Sequence, residues 1–284
     1  MSSIAPTPAT RRQFMKTAAA AAAATMVPTV ASPLFGAEKS PYGEFRMGIQ
    51  SYSLRGFDVT KALETTKKLG LHYWEAYPNH VPVSTVPAQV AKYKKMLDGA
   101  DVKLIAFGVL PFSENETKAR EFFDFAKAIG IETLSANPDK NAATFDLLDK
   151  LVEEYEINIA IHNHGPGAKY DKIDDVVTMV KGRHPRVGAC VDTGHYLRSK
   201  EDPVEAIDRL SDRLYGVHLK DVKDAKIMTI LGEGDLDVVG CLKLLKQNNY
   251  GHYLAIEYDE TAANPVSGIE VCLSTVRKAM KQIG

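Results

Sequence analysis

Cysteine is scarce in this chain: three residues in 284, Cys190, Cys241 and Cys272, odd in number and far apart. That excludes a disulfide framework, and the thiols are expected to act as small buried hydrophobes. Like charges form no block, the 35 basic and 36 acidic residues being interspersed, so there is no electrostatic footprint for nucleic acid or anionic lipid. No apolar run reaches the roughly 18–20 residues that a membrane-spanning helix requires. No Gly-rich phosphate turn follows the first strand pattern at Gln50, which argues against a dinucleotide-binding sheet. What is present, 45% hydrophobic and 25% charged residues, suits one large globular domain.

The N-terminal stretch "TRRQFMK", Thr10 to Lys16, leads into the alanine-rich run Thr17 to Thr25 and then Pro28. Arg11-Arg12, Phe14 and Lys16 resemble the twin-arginine translocation signal, which carries folded proteins across the bacterial inner membrane. The run is too short and too weakly hydrophobic to be a bilayer anchor. Residues 1–37 are therefore expected to be this leader with a disordered flank, cleaved between Ala31 and Ala37, and residues 38–284 a periplasmic domain. The leader takes Arg11, Arg12 and Lys16 of the 35 basic residues with it, leaving 32 against 36 acidic and a net charge of −4. Export of a folded protein would let a metal be inserted in the cytoplasm.

From Phe45 onward a short β-rich run and a longer helical period alternate eight times. The expected strands are Arg46 to Gln50, His72 to Ala76, Val102 to Gly108, Glu132 to Ala136, Asn158 to His162, Arg186 to Asp192, Leu214 to Leu219 and Tyr253 to Tyr258. Helices are expected between them, as in "DVTKALETTKKLG", where Val59, Ala62, Leu63, Thr66 and Leu69 share one face and Gly70 ends it. Others begin near Asn115, Ala142, Asp171, Pro203, Asp237 and Pro265. Strands separated by helices require crossovers and hence parallel pairing. Eight such units predict an α/β fold, a single-domain (β/α)8 TIM barrel, in preference to a doubly wound open sheet.

Active sites of such barrels lie at the carboxyl ends of the strands. Those ends are polar here: Trp74-Glu75, His162-Asn163-His164, "VDTGH" with Asp192 and His195, "VHLKD" with His218 and Lys220, and "IEYDE" with Glu257. A lone His or Asp at a strand end is usually a loop hydrogen-bonder. Four on consecutive strands, His162, Asp192, His218 and Glu257, are expected to converge as metal ligands. Two imidazoles and two carboxylates suit Mn²⁺, Mg²⁺, Co²⁺ or Zn²⁺.

"DTGH", "HLKD", the turn "LGEGDLD" (Leu231 to Asp237) and "AIEY" resemble the xylose-isomerase-like barrel family of sugar isomerases and epimerases. The resemblance implies that Asp192, His218 and Glu257 hold a divalent metal and that His195 contacts substrate or a ligand. In tagatose epimerase-like members the remaining ligand is a Glu, where this chain has His162. Consecutive histidines at that point are similar to inosose dehydratases.

The expected chemistry is removal of a proton next to a carbonyl through a metal-stabilised enediolate, on an unphosphorylated keto sugar or polyol-derived ketone. Glu257 or His162 would be the base, Lys220 a cation for the enolate or the leaving hydroxyl, and His195 an acid. Glu75, His164, His195 and Lys220 are expected to bind substrate; Glu75 could equally be a buried carboxylate paired with a neighbouring lysine, and Lys220 a solvated loop residue. Isomerisation or epimerisation is the first expectation, a dehydratase or β-eliminating lyase the second, and a non-catalytic periplasmic sugar-binding barrel the third. His80 is expected in a mobile loop and Trp74 in the core or the pocket wall. A nuclease of the endonuclease-IV type lacks its additional histidines here. The implied partner is a small-molecule sugar, with no nucleic acid and no membrane span; homo-oligomerisation is left open.

Overall fold

Most helices start where a polar side chain can accept an otherwise orphaned backbone N–H. Asp58, Asn115, Asn141, Asp202 and Asp237 cap in this way, their oxygens accepting from the amides of Lys61, Lys118, Thr144, Val204 and Gly240. Residues 40–284 are described by a computed structural model; the leader expected over residues 1–37 lies outside them.

In chain order the elements are β1 (Arg46–Gln50), α1 (Val59–Lys68), β2 (Tyr73–Ala76), α2 (Pro87–Ala100), β3 (Lys103–Phe112), α3 (Glu116–Ile129), β4 (Thr133–Pro138), α4 (Ala142–Tyr155), β5 (Asn158–His162) and α5 (Ile173–Val180). The second half comprises β6 (Val187–Asp192), α6 (Thr193–Arg198), α7 (Pro203–Arg209), β7 (Leu214–Leu219), β8 (Asp221–Lys223), β9 (Ile227–Thr229), α8 (Val238–Gln247), β10 (Tyr253–Ile256) and α9 (Val266–Ile283). Eight parallel strands close in the order β1-β10-β7-β6-β5-β4-β3-β2. This is the (β/α)8 barrel that the alternation predicts.

Two features depart from that prediction. Strand β3 runs on to Phe112, past the expected end at Gly108, and its register with β4 shifts between Phe107 and Leu110. After β7 the chain forms a small antiparallel hairpin, β8–β9, too short to carry a period.

Most buried apolar residues pack between strands and helices, Trp74, Phe107, Phe125 and Phe145 among them. A smaller cluster of Ile105, Ala106, Ala160, Cys190, Tyr253 and Ala255 stands apart from that layer. Tyr253 Oη lies 2.7 Å from Ser135 Oγ and donates to Cys190 Sγ at 3.3 Å. All three cysteines are free and buried, as expected. Among the described residues no helix is long and apolar enough to cross a membrane.

Candidate metal centre at the carboxyl ends of the strands

Local structure aims the strand-end groups. Asp192 is the last residue of β6 and the N-cap of α6: its Oδ1 accepts the amide of His195 at 2.7 Å, which leaves Oδ2 to face the barrel mouth. The Asn163 amide group substitutes for a strand, accepting Asp192 N at 2.8 Å and donating to Asp192 O at 2.9 Å. Thr193 Oγ1 donates to the carbonyls of Lys220 and His218, at 2.6 and 3.1 Å, tying β6 to β7. Gly194 has no side chain because the Lys220 stem passes there; a Cβ would lie 2.5 Å from Lys220 Cγ.

His162, Asp192, His218 and Glu257 each offer one ligand atom, and these atoms all lie within 4.8 Å of one another. His162 Nε2 is 3.0 Å from His218 Nδ1, 3.6 Å from Asp192 Oδ2 and 3.9 Å from Glu257 Oε2. His218 Nδ1 is 2.6 Å from Glu257 Oε2 and 3.8 Å from Asp192 Oδ2. Solvent hardly reaches them: their relative exposures are 2%, 0%, 0% and 9%. Asp192 Oδ2 is buried without a hydrogen bond, although Lys220 Nζ stands 3.2 Å away as an ion-pair partner. An orphaned carboxylate oxygen among two ring nitrogens and a second carboxylate fits a divalent cation.

Charge is balanced by Lys220, which is 3% exposed and pairs with Glu257 Oε1 at 2.8 Å and Asp259 Oδ2 at 2.9 Å. It is therefore not the solvated loop lysine that the sequence also allows. Burial disfavours its ammonium, yet Asp192, Glu257 and Asp259 raise its pKa above the usual lysine range. Burial likewise pushes the Asp192 and Glu257 carboxyls up, and Lys220 overrides it, holding both well below the usual carboxylate range. His195 is lowered to about 4, by burial first, with Asp192 opposing and Lys220 reinforcing.

The other expected site residues fall as follows. His164 and His195 flank the four-residue set, their rings 5.4 Å apart and His164 4.6 Å from the His162 ring. Glu75 is not on the pocket wall: it is 1% exposed, and its Oε2 bonds His218 Nε2, on the far side of the ring from His162, Asp192 and Glu257. The strand end alone could not give this direction, since the register of β2 and β7 decides it. His80 is not in a mobile loop. It is buried, stacked on Trp74 at 5.7 Å and hydrogen-bonded to Phe57 O at 3.0 Å. Sequence reasoning placed Asn163 and Asp259 at polar strand ends without a role, and gave none to Thr193 or Arg198. The position between two histidines was the only signal for Asn163.

The description of the xylose isomerase-like TIM barrel family matches residues 63–275. The chain belongs to that family. Residues 8–28 match a twin-arginine translocation pathway signal sequence. An inosose dehydratase of Clostridium tetani is 30% identical over 141 residues, covering 42% of this chain and 47% of that protein, so the chain spans about half the length of the curated relatives it matches. A solved structure from Parabacteroides distasonis is 28% identical, with a TM-score of 0.65 over 83% of this chain and 99% of that one. The zinc-bound IolI structure, 16% identical, has a TM-score of 0.66 over 84% of this chain and 99% of its own and shares the fold. The Gly-x-Gly turn typical of the motif set has a structural role here. The Asp221 carboxylate accepts the amides of Gly232, Gly234, Leu236 and Val222 at 2.8 to 3.1 Å.

Proposed function

We propose that this chain is a divalent-metal-dependent enzyme that removes the proton beside the carbonyl of an unphosphorylated keto sugar or polyol-derived ketone. The reading is carried by the convergence of His162, Asp192, His218 and Glu257 within 4.8 Å beside a buried lysine. A divalent ion held by those four would supply positive charge where negative charge develops on the substrate oxygens.

Glu257 is the base. Lys220, 2.8 Å from Glu257 Oε1, is the neighbouring acid. The α-proton passes to Glu257, the bond to a β-oxygen breaks, and Lys220 protonates that oxygen as it leaves. The proton then returns from Glu257 to Lys220 across their contact. Epimerisation would need a second free acid facing Glu257, and β5 brings His162 there, within the ligand set. β-Elimination is thus better supported than epimerisation, and the relatives named inosose dehydratase point the same way. A second reading, isomerisation by a single base on one face, is favoured by His162 standing where a second carboxylate would serve epimerisation. We further propose residues 1–37 as the leader, 38–284 as the mature domain and the periplasm as its compartment, on the strength of the signal match.

The test is elemental analysis of the mature protein, then incubation in D₂O with unphosphorylated ketoses, inososes and 3-keto-glycosides. Loss of a β-substituent is the expected result. Deuterium uptake without it would favour isomerase, whereas metal-free protein indifferent to chelators would end the enzyme reading and leave a sugar-binding barrel.

A further inference from the structure

We propose that Arg198 is a positioning residue that fixes the His195 ring with its proton on Nε2, so that His195 and Lys220 aim two donors at one substrate oxygen. The inference rests on the proposed function, in which negative charge develops on such an oxygen.

Arg198 ends α6, one turn after His195, and its Nη1 lies 3.2 Å from His195 Nδ1. The partner of this guanidinium is an imidazole, whereas Arg46, Arg55, Arg120, Arg183 and Arg209 each pair with a carboxylate. A guanidinium can only donate, so Nδ1 must accept and the ring proton of a neutral imidazole must sit on Nε2. Gly165 makes the approach possible: a Cβ there would lie 2.6 Å from Nη1 and 2.8 Å from Cζ. The glycine after "HNH" thus serves as a bed for the guanidinium.

On the other side of the ring, His195 Nε2 is 3.5 Å from Lys220 Nζ. An ammonium also only donates. An imidazolium would therefore face a cation at each nitrogen, and the neutral ring is the form that the geometry accepts. Two donors that face each other without an acceptor between them describe a place for one, an oxygen that gains charge during the reaction. Were the ring to take the other tautomer, Nε2 would accept from Lys220 and the second donor would be lost.

The test uses ¹⁵N-labelled, Zn²⁺-loaded full-length protein and reads the ring nitrogens of His195, assigned by their loss in H195N. Wild type should show a pyridine-type Nδ1 and a pyrrole-type Nε2. R198M and G165A should both give tautomer-averaged signals, and R198K should restore the wild-type pattern in part. Glycolohydroxamate, a small enediolate mimic, should bind R198M roughly tenfold or more weakly, the worth of one charge-assisted hydrogen bond. A proton on Nδ1 in wild type, or an R198M ring spectrum like that of wild type, would overturn the proposal. So would a changed tautomer with unchanged affinity, since the two-donor site would then be absent. These readouts need no turnover, so the expected tautomer together with no reaction on any keto sugar would condemn the proposed reaction and leave the positioning role standing.

Discussion

Glu257 carries the heaviest load at the residue scale, facing His218 through Oε2 and Lys220 through Oε1. Glu257→Gln keeps the shape and removes the proposed base, so turnover should fall about 10²–10⁴-fold. Glu75 acts at one remove, by bonding the outer nitrogen of His218. A carboxylate behind a histidine ligand orients it and raises its basicity, so Glu75→Gln should weaken metal binding about 10–100-fold, measured by competition with a chelating dye. His80 gives a pH dependence away from the site. Burial lowers its pKa from the ordinary 6.5, and the bond to Phe57 only partly opposes this. The folded state thus holds the ring neutral more firmly than the unfolded chain does. Its contribution is complete above 6.5 and is lost as pH falls toward the lower folded-state value. His80→Gln should flatten the decline of thermal midpoint between pH 7 and 5.

Among the elements, α6 and the segment after β7 decide the geometry. A helix of six residues would be marginal alone; the Asp192 cap and the Thr193 bonds to β7 hold it. Gly194→Ala should displace the Lys220 stem and reduce turnover with little loss of stability. Asp221 is the hub of the following turn, accepting four amides. Its replacement by Ala leaves these donors unpaired and should cost on the order of 3 kcal/mol in urea unfolding.

For the whole molecule, the candidate site and the Arg46 ion pair lie at opposite ends of the barrel. The amino-terminal end carries the two-pronged pair of Arg46 with Glu132, at 2.6 and 2.8 Å. The carboxyl end crowds Asp192, Glu257 and Asp259 around Lys220, an arrangement that a bound divalent ion would relieve. A ligand that binds only the folded state stabilises it by about 2.7 kcal/mol at 100 times its Kd. Chelator-treated protein should therefore melt several degrees lower, and added Mn²⁺ or Zn²⁺ should restore the midpoint in calorimetry. Export is a property of the intact chain: changing Arg11 and Arg12 to Lys should keep it in the cytoplasm on fractionation.

The barrel was legible in the sequence because eight alternations of β-rich and helical period admit few closed arrangements. The four converging groups were legible because each ends an apolar strand and so points toward the mouth. The sequence also determined the leader, whose signal lies in adjacent residues. Only the tertiary structure decided what those groups face. Glu75 turned out to sit behind His218, Lys220 to be sealed among carboxylates, and Arg198 to lie on Gly165. Such directions follow from strand register and from backbones brought together across dozens of residues. A pattern of near neighbours holds periods and caps, whereas a contact between distant strands exists only once the barrel has closed.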